Sequence, residues 1–431
     1  MDTRPHLLIL SYVFPPYPGI GGRRWAKFAK YLSRVGYGVH VVAAQNPFAS
    51  TSQWQQDIAG LDVTYLPTHF PAVLGEKEAA TLAFKLRYKT ALLASRMRTR
   101  ANYYDRAAFW KADMLRAASR LIEQHDIRYV MATGAPFHLL HHALALKHRY
   151  PGLKLLCDFR DPWTDGEYLF GMNSLGPARL EAERQMEREV LAQADVVTSV
   201  ADSIVAQLAT KVPGAATRFE TLLNGFDPED FPATTQHTQP DGMVRFVLTG
   251  SLYPDIDYIF VPLLDALVRL RSEAPAQYAR LAFDFYGQAQ RHHQQLVERR
   301  DLGEAVRFHG PISLEAVYRV LAASTFTMLF LHEHLAFSRS TKFYEYLAAG
   351  RKIVVFSAPG ETAAHVEGEG IGYGVAPDEV YTRLLTLIDE ADQGRMQPNP
   401  AYDIAPYSVP GLTGRLLHLL GLEVPASVAA R

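Results

Sequence analysis

Cysteine is almost missing from this chain: among 431 residues only Cys157 carries a thiol. A lone cysteine excludes an internal disulfide and any cysteine-cluster zinc site, and it fits a reducing compartment, with the cytoplasm as the default. Long apolar runs are missing too. Nowhere do about 18 apolar residues follow one another, so no membrane-spanning helix is expected. The run at residues 7–13 ends in Phe14-Pro15-Pro16, too short for a signal peptide's apolar core with a cleavage site, and it reads as a first strand. An excess of one charge is also lacking. The 44 Lys and Arg nearly balance the 45 Asp and Glu, for a formal net charge of −1, so the overall footprint of a nucleic-acid binder is absent. What is present is the composition of a soluble globular protein, 48% hydrophobic and 21% charged, long enough for two domains of roughly 200 residues.

Strand-like and helix-like segments alternate along both halves. The first half predicts strands at residues 6–13, 39–43, 63–67, 129–132, 153–158, 196–200 and 221–223, with helices between them. Residues 227–241 are rich in Pro, Thr, Gln and Asp without periodicity and read as a surface linker. The alternation then restarts, with strands at 244–249, 281–286, 306–309, 325–331 and 352–357. Mostly parallel sheets follow from this pattern. The expected organisation is α/β: a domain over residues 1–232, a second over 243–404, and a helix within 405–421 docking back on the first. Two doubly wound domains of this kind carry ligands at the carboxyl ends of their strands, facing a central cleft.

The most informative stretch is Ser340-Thr341-Lys342-Phe343-Tyr344-Glu345-Tyr346-Leu347-Ala348-Ala349-Gly350. It follows a predicted strand and precedes another, so its helix aims unpaired N–H groups and a positive dipole end at any anion docked there. Lys342 adds a mobile point charge. Glu345 lies on the same helical face, placed to accept hydrogen bonds from a sugar's vicinal hydroxyls. The plainer alternative is a Lys342–Glu345 ion pair on an ordinary amphipathic helix. In the same half, Thr249-Gly250-Ser251 closes a strand with a small-residue turn whose backbone offers donors. No basic residue follows it closely, which leaves phosphate charge to Lys342, Arg339 and the helix start.

Elsewhere the signals are broader. The loop from Phe14 to Arg24 holds Gly19, Gly21 and Gly22 and is a candidate anion loop, although its glycines do not fall at dinucleotide-fingerprint spacing and no acid ends the second strand. Hydride transfer is thereby disfavoured; a turn packed by its glycines is the alternative. Asp158-Phe159-Arg160-Asp161-Pro162-Trp163 puts charged groups at a strand end, either toward a ligand or in an internal Arg160–Asp pair. His138 follows Gly134-Ala135-Pro136-Phe137 and is placed at the same rim, while His141, His142 and His148 lack the spacing of a metal site. Asp255-Ile256-Asp257 is an Asp-x-Asp pair, but at a probable helix start, where acids are favoured without a metal. Residues 85–120 hold Lys85, Arg87, Lys89, Arg96, Arg98, Arg100, Arg106, Lys111, Arg116 and Arg120 against Asp105 and Asp113. This basic region suits an anionic membrane surface or a solvated helical face.

In order and spacing these pieces resemble retaining glycosyltransferases of family 4, of the GT-B fold and polysaccharide-biosynthesis type. The resemblance rests on the Phe14 to Arg24 loop, Gly36-Tyr37-Gly38-Val39-His40-Val41-Val42, the Asp158 to Trp163 segment, Ala194-Asp195-Val196-Val197, Asn224-Gly225-Phe226-Asp227, Phe283-Asp284-Phe285-Tyr286-Gly287, Val306-Arg307-Phe308-His309-Gly310 and the Ser340 to Gly350 stretch. It implies that Lys342 contacts a donor diphosphate, Ser340 and Thr341 supply backbone donors, and Glu345 holds the nucleotide ribose. Gly21 and Gly22 would approach the phosphates from the other domain. Arg160 and Asp161 lie near the strand end where many relatives keep a catalytic histidine. Phe337 occupies a position where many members carry a second glutamate, with Glu333, His334 and Ser338 as nearby substitutes.

The implied activity is transfer of a sugar from a nucleoside-diphosphate donor to a hydroxyl acceptor (a glycan, a lipid-linked saccharide or a small molecule) with retention. No tightly bound cofactor and no metal are expected, and the implied location is the cytoplasm, at the inner face of the membrane. A nucleotide-sugar epimerase or hydrolase, or a non-catalytic nucleotide-sugar-binding scaffold, would share the architecture.

Overall fold

In a computed structural model, the protein is described over residues 5–48, 51–75, 81–166, 171–231, 242–253, 255–332 and 339–425. The chain forms two compact units, one of Met1–Leu223 with Val409–Arg431 and one of Asn224–Ser408. In the first, strands β1 (His6–Ser11), β2 (Gly38–Ala44), β3 (Asp62–Leu66), β4 (Tyr129–Thr133), β5 (Lys154–Arg160), β6 (Val196–Ser199) and β7 (Arg218–Thr221) make a parallel sheet in the order β3-β2-β1-β4-β5-β6-β7. Helices α1 (Arg23–Arg34), α2 (Leu82–Arg98), α3 (Lys111–His125), α4 (His138–Arg149), α5 (Pro177–Gln193) and α6 (Asp202–Thr210) lie between the strands in sequence. The central strands β1, β4 and β5 are buried along nearly their whole length. Their near-continuous Leu, Ile, Val and Met content is what a sheet covered on both faces requires.

The second unit repeats the plan. Strands β8 (Val244–Thr249), β9 (Leu281–Tyr286), β10 (Val306–Phe308), β11 (Phe326–Phe330), β12 (Ile353–Phe356) and β13 (Gly372–Val375) form a parallel sheet ordered β10-β9-β8-β11-β12-β13. Its helices are α7 (Asp257–Glu273), α8 (Pro275–Tyr278), α9 (Arg291–Arg299), α10 (Leu314–Ala322), α11 (Thr341–Ala348), α12 (Glu361–Gly368) and α13 (Val380–Asp392). Phe246, Phe283 and Phe326 stack face to face across adjacent strands and anchor its core. In each sheet the strand order reverses once, between β1 and β4 in the first and between β8 and β11 in the second. The loops leaving such a switch point diverge and open a crevice at the carboxyl edge.

The chain then returns to the first unit through α14 (Val409–Leu420). Val409, Leu412, Leu416, Leu417 and Leu420 pack with Trp25, Phe28 and Leu32 of α1 in one apolar cluster. The Lys154 ammonium fixes the helix end by donating to the Leu420 carbonyl at 3.0 Å.

Several boundaries differ from those the sequence predicts. The last strand of the first sheet is β7 at Arg218–Thr221, not residues 221–223, because the Leu222 and Leu223 carbonyls accept from Arg24 at 2.5 and 2.6 Å instead of from a strand. The division falls after Leu223, not at residue 232. Phe226 belongs with the second unit, where its N–H donates to the Tyr407 carbonyl at 3.1 Å. Residues 405–407 form a separate 3-10 turn before α14. The expected linker falls largely on residues 232–241, outside the described residues.

Candidate active site

The switch point of the second unit brings together two segments about ninety residues apart. The Thr249 N–H at the end of β8 donates to the Tyr346 hydroxyl at 3.0 Å, which ties α11 to the strand end. Gly250 follows with φ +88°, and its N–H donates to the Tyr286 carbonyl at 2.7 Å. A side chain there would be strained and obstructed, since a Cβ would sit 2.7 Å from Lys342 Cε. The lysine arm therefore lies directly across the glycine. Its ammonium donates to the Ser251 carbonyl at 3.1 Å and sits 5.7 Å from the centre of the Tyr253 ring.

Lys342 has three N–H donors, and among the described residues one carbonyl occupies one of them. Burial lowers its pKa to about 8, with Glu345 acting in the opposite direction. An incoming anion would restore its charge preference. Ser340 caps α11 in extended conformation, but its side chain makes no capping bond. The positive end of the helix is thus unscreened by its own cap residue. Glu345 is buried one turn further on, and Arg339 pairs with Glu361 at 3.1 Å. Lys342 meets Gly250 and Ser251 across the switch point, and Ser340, Thr341 and Glu345 lie on the same helix α11 or at its cap, whereas Arg339 is turned to α12. Phe337, Glu333, His334 and Ser338 lie outside the described residues.

In the first unit the corresponding groups are bound to their own chain. Arg160 adopts a left-handed backbone, φ +56°, at an irregularity in the β5–β6 pairing. Its guanidinium donates to the carbonyls of Gly134, of Gly21 at 2.9 Å and of Ala135 at 3.0 Å. It thereby ties together the loops after β1 and β4. Asp158, not Asp161, holds the ionic contact, accepting from Arg24 at 3.2 Å, Trp25 at 2.8 Å and Thr198 at 2.9 Å. Burial pushes the Asp161 carboxyl above the usual range, with Arg160 opposing. Gly22 has no room for a side chain, because a Cβ would lie 2.9 Å from the Val13 carbonyl oxygen.

His138 is not on a rim. It is 2% exposed, and its Nε2 meets Glu183 at 2.7 Å. Glu183 also accepts from the Asn102 N–H at 2.6 Å and the Trp163 indole at 2.7 Å, while Asp105 accepts from the N–H groups of Phe137 and His138. Burial opposes charge on the imidazole, but Asp105 and Glu183 overcome it and raise the pKa to about 9. This is a buried ionic cluster that holds α4, α5 and the 102–105 loop, and it corrects the placement of His138 at the rim.

Residues 244–390 match the family Glycosyl transferases group 1. This match to a group 1 domain covers most of the second unit, from β8 into α13. No sequence among the curated proteins matches the chain. Solved structures align over nearly its full length at low identity, which shows the fold. Sucrose-phosphate synthase from Thermosynechococcus elongatus aligns at 13% identity and a TM-score of 0.60, over 99% of this chain and 96% of that one. A putative UDP-N-acetylglucosamine 2-epimerase from Listeria monocytogenes gives 12% and 0.56, over 98% and 99%. The lipopolysaccharide outer core galactosyltransferase WaaB gives 10% and 0.55, over 96% and 99%. The architecture is that of GT-B glycosyltransferases: two parallel sheets, each with surrounding helices.

Within the group 1 domain, sequence reasoning missed Tyr346 and Gly287. Tyr346 stands four residues after Lys342, so a helical face count carries its signal. Gly287 packs so tightly that a Cβ would meet the Gly250 carbonyl oxygen at 2.2 Å, a contact no local pattern announces. Asp257 begins α7 and meets His292 at 2.6 Å, as a helix-start acid would. Outside the domain, the basic region resolves into separate parts. Helix α2 contains no acid, while α3 carries Asp113, paired with Arg116 at 2.8 Å. No helix of the described residues is long and apolar enough to cross a membrane.

Proposed function

We propose that the protein transfers a sugar from a nucleoside-diphosphate donor to a hydroxyl acceptor with retained anomeric configuration. The observation that carries this reading is Lys342, laid across Gly250 at the switch point, with one of its three donors taken among the described residues and a helix start beside it. The donor's diphosphate binds there, and Glu345 takes the ribose hydroxyls. As the glycosidic bond breaks, the sugar passes through an oxocarbenium-like state while charge grows on the leaving diphosphate. Fixed N–H dipoles and the ammonium stabilise that charge without reorganising. In this reading no metal is required, and transfer should proceed in the presence of a chelator. The direct test is incubation with a panel of nucleotide sugars, first by thermal shift to find the donor, then by product analysis with extracted glycan and lipid-linked acceptors. A product of inverted configuration would overturn retention.

An epimerase or hydrolase is the second reading, because the likeness to the 2-epimerase is no weaker than that to the galactosyltransferase. Conversion of the donor without any acceptor would select it.

The acceptor side, in this proposal, works at an anionic membrane. Leu82, Leu86, Leu93 and Met97 of α2 are 84, 65, 60 and 80% exposed, and at 3.6 residues per turn they share an arc of about 60°. Lys85, Lys89 and Arg96 flank this ridge on one side, Arg87 and Arg98 on the other, and the helix has no acid to oppose them. Such a helix lies in a headgroup layer, each basic residue near the surface adding about 1 kcal/mol. Phosphatidylglycerol vesicles should sediment the protein and Leu86→Glu/Leu93→Glu should release it; equal binding to neutral vesicles would sink the electrostatic part.

A further inference from the structure

At the opposite, amino-terminal edge of the first sheet, three histidines from distant segments meet. His6 opens β1, His40 is the third residue of β2 and His125 ends α3. One ligand nitrogen from each lies within 4.8 Å of the other two. The rings form a close group, with centroids 5.2 Å apart for His6 and His40, 5.1 Å for His6 and His125, and 4.1 Å for His40 and His125. The sheet has made room for it. His6 stands opposite Gly38 in the β1–β2 register, and a Cβ on Gly38 would fall 2.4 Å from His6 Nδ1.

The hydrogen bonds set the tautomer of the central ring. Asp62, the register partner of His40 on β3, holds His40 Nδ1 at 2.6 Å. A carboxylate only accepts, so Nδ1 carries the proton and Nε2 keeps its lone pair. That lone pair points into the group and accepts from His6 Nδ1–H at 2.9 Å, a bond that a metal ion would replace. A carboxylate behind one imidazole nitrogen, with the other nitrogen directed at two more imidazoles, is the outer-shell arrangement that orients histidine ligands toward a metal. His40 is buried and fixed, while His6 and His125 are only half-buried. Those two can turn from their stacked poses to bring three nitrogens to the roughly 2.0–2.1 Å that a zinc ion requires.

We propose that His6, His40 and His125 form a binding site for a borderline divalent transition-metal ion such as Zn2+, with Asp62 as the group that orients His40. Three neutral imidazoles suit this class of ion over Mg2+ or Ca2+, which prefer oxygen ligands. The site lies a strand length, roughly 17 Å, from the loop that leaves β1. It therefore cross-links β1, β2 and α3 and has no part in the transfer step.

The test uses the full chain without an affinity tag, titrated with Zn2+ against a chromophoric chelator and with Co2+ followed by its visible absorption. The wild type should bind one equivalent, with the intense Co2+ bands of a tetrahedral site. His6→Ala/His125→Ala, which leaves the buried His40 in place, should weaken that equivalent at least 100-fold. Asp62→Asn should weaken it about 10- to 100-fold, the range for outer-shell partners. His141→Ala/His148→Ala should leave it unchanged and so controls for surface histidines. The proposal is overturned if the wild type takes up no stoichiometric equivalent, which would make the group a stack of imidazoles only. It is equally overturned if the equivalent survives in His6→Ala/His125→Ala.

Discussion

The two units place charged groups at equivalent strand ends and use them in opposite ways. In the first, Arg160 gives hydrogen bonds to three carbonyls, and the His138 cation is held between Glu183 and Asp105. In the group 1 domain, Lys342 has one carbonyl and an exposed tyrosine ring. A buried polar group completed by its own chain holds loops together; a lysine with donors to offer, and a pKa lowered by burial, is prepared for a ligand. On this contrast rests the proposal that the Lys342 group, and not the His138 cluster, binds the donor.

The largest effect that would sharpen this contrast is on donor use. Lys342→Ala removes two or more charge-assisted bonds of about 1.5–3 kcal/mol each, so kcat/KM for the donor should fall by about 10² to 10⁴. A variant that binds and turns over donor normally would remove the cradle from the account. Next in size is His138→Gln, which strips the cation from between two buried carboxylates and should cost about 3–5 kcal/mol in denaturant unfolding. Because the folded pKa of about 9 exceeds the ordinary 6.5, this stabilisation is complete below pH 6.5 and lost as pH rises through 9. If the variant were instead fully stable but inactive, His138 would belong with the catalytic groups after all.

Leu416→Ala, in the α14 face against α1, should destabilise by about 2–5 kcal/mol with donor affinity retained; a loss confined to donor binding would contradict the assignment of α14 to the first unit. The smallest effect is in pH. Lys342 has a folded pKa of about 8 against 10.5 unfolded, so the cost of burying its charge is present below pH 8 and relieved between 8 and 10.5. Donor affinity should be flat below pH 8 and fall as the pH rises through it, shifted upward where bound donor holds the proton. Lys342→Met should show no such step.

Much of the fold was legible because strand runs and helix faces are short-range patterns. Residues 281–286 read as a strand from their apolar content and are one. The strand β13 was not legible: Gly372 and Gly374 weaken its local preference, and it forms because Gly372 lets the Ile353 carbonyl approach to 2.1 Å from where a Cβ would stand. Residues 221–223 looked like a strand through Leu222 and Leu223, whose carbonyls are instead taken by Arg24, some 198 residues away. The His6, His40 and His125 group left no trace in spacing, since its members are 34 and 85 residues apart in sequence.

By itself the sequence determined that Lys342 and Glu345 share a helix face at the start of α11, after a buried strand and before another. Helical periodicity and capping act over a few residues, so they can be read in order. Only the tertiary structure decided which polar groups were completed internally. Arg160 found carbonyls from two other loops, His138 found Glu183 on α5, and Lys342, among the described residues, found the Ser251 carbonyl across Gly250. Those outcomes depend on partners brought together by the strand order, and a buried donor's cost or use is fixed by what stands within hydrogen-bond reach.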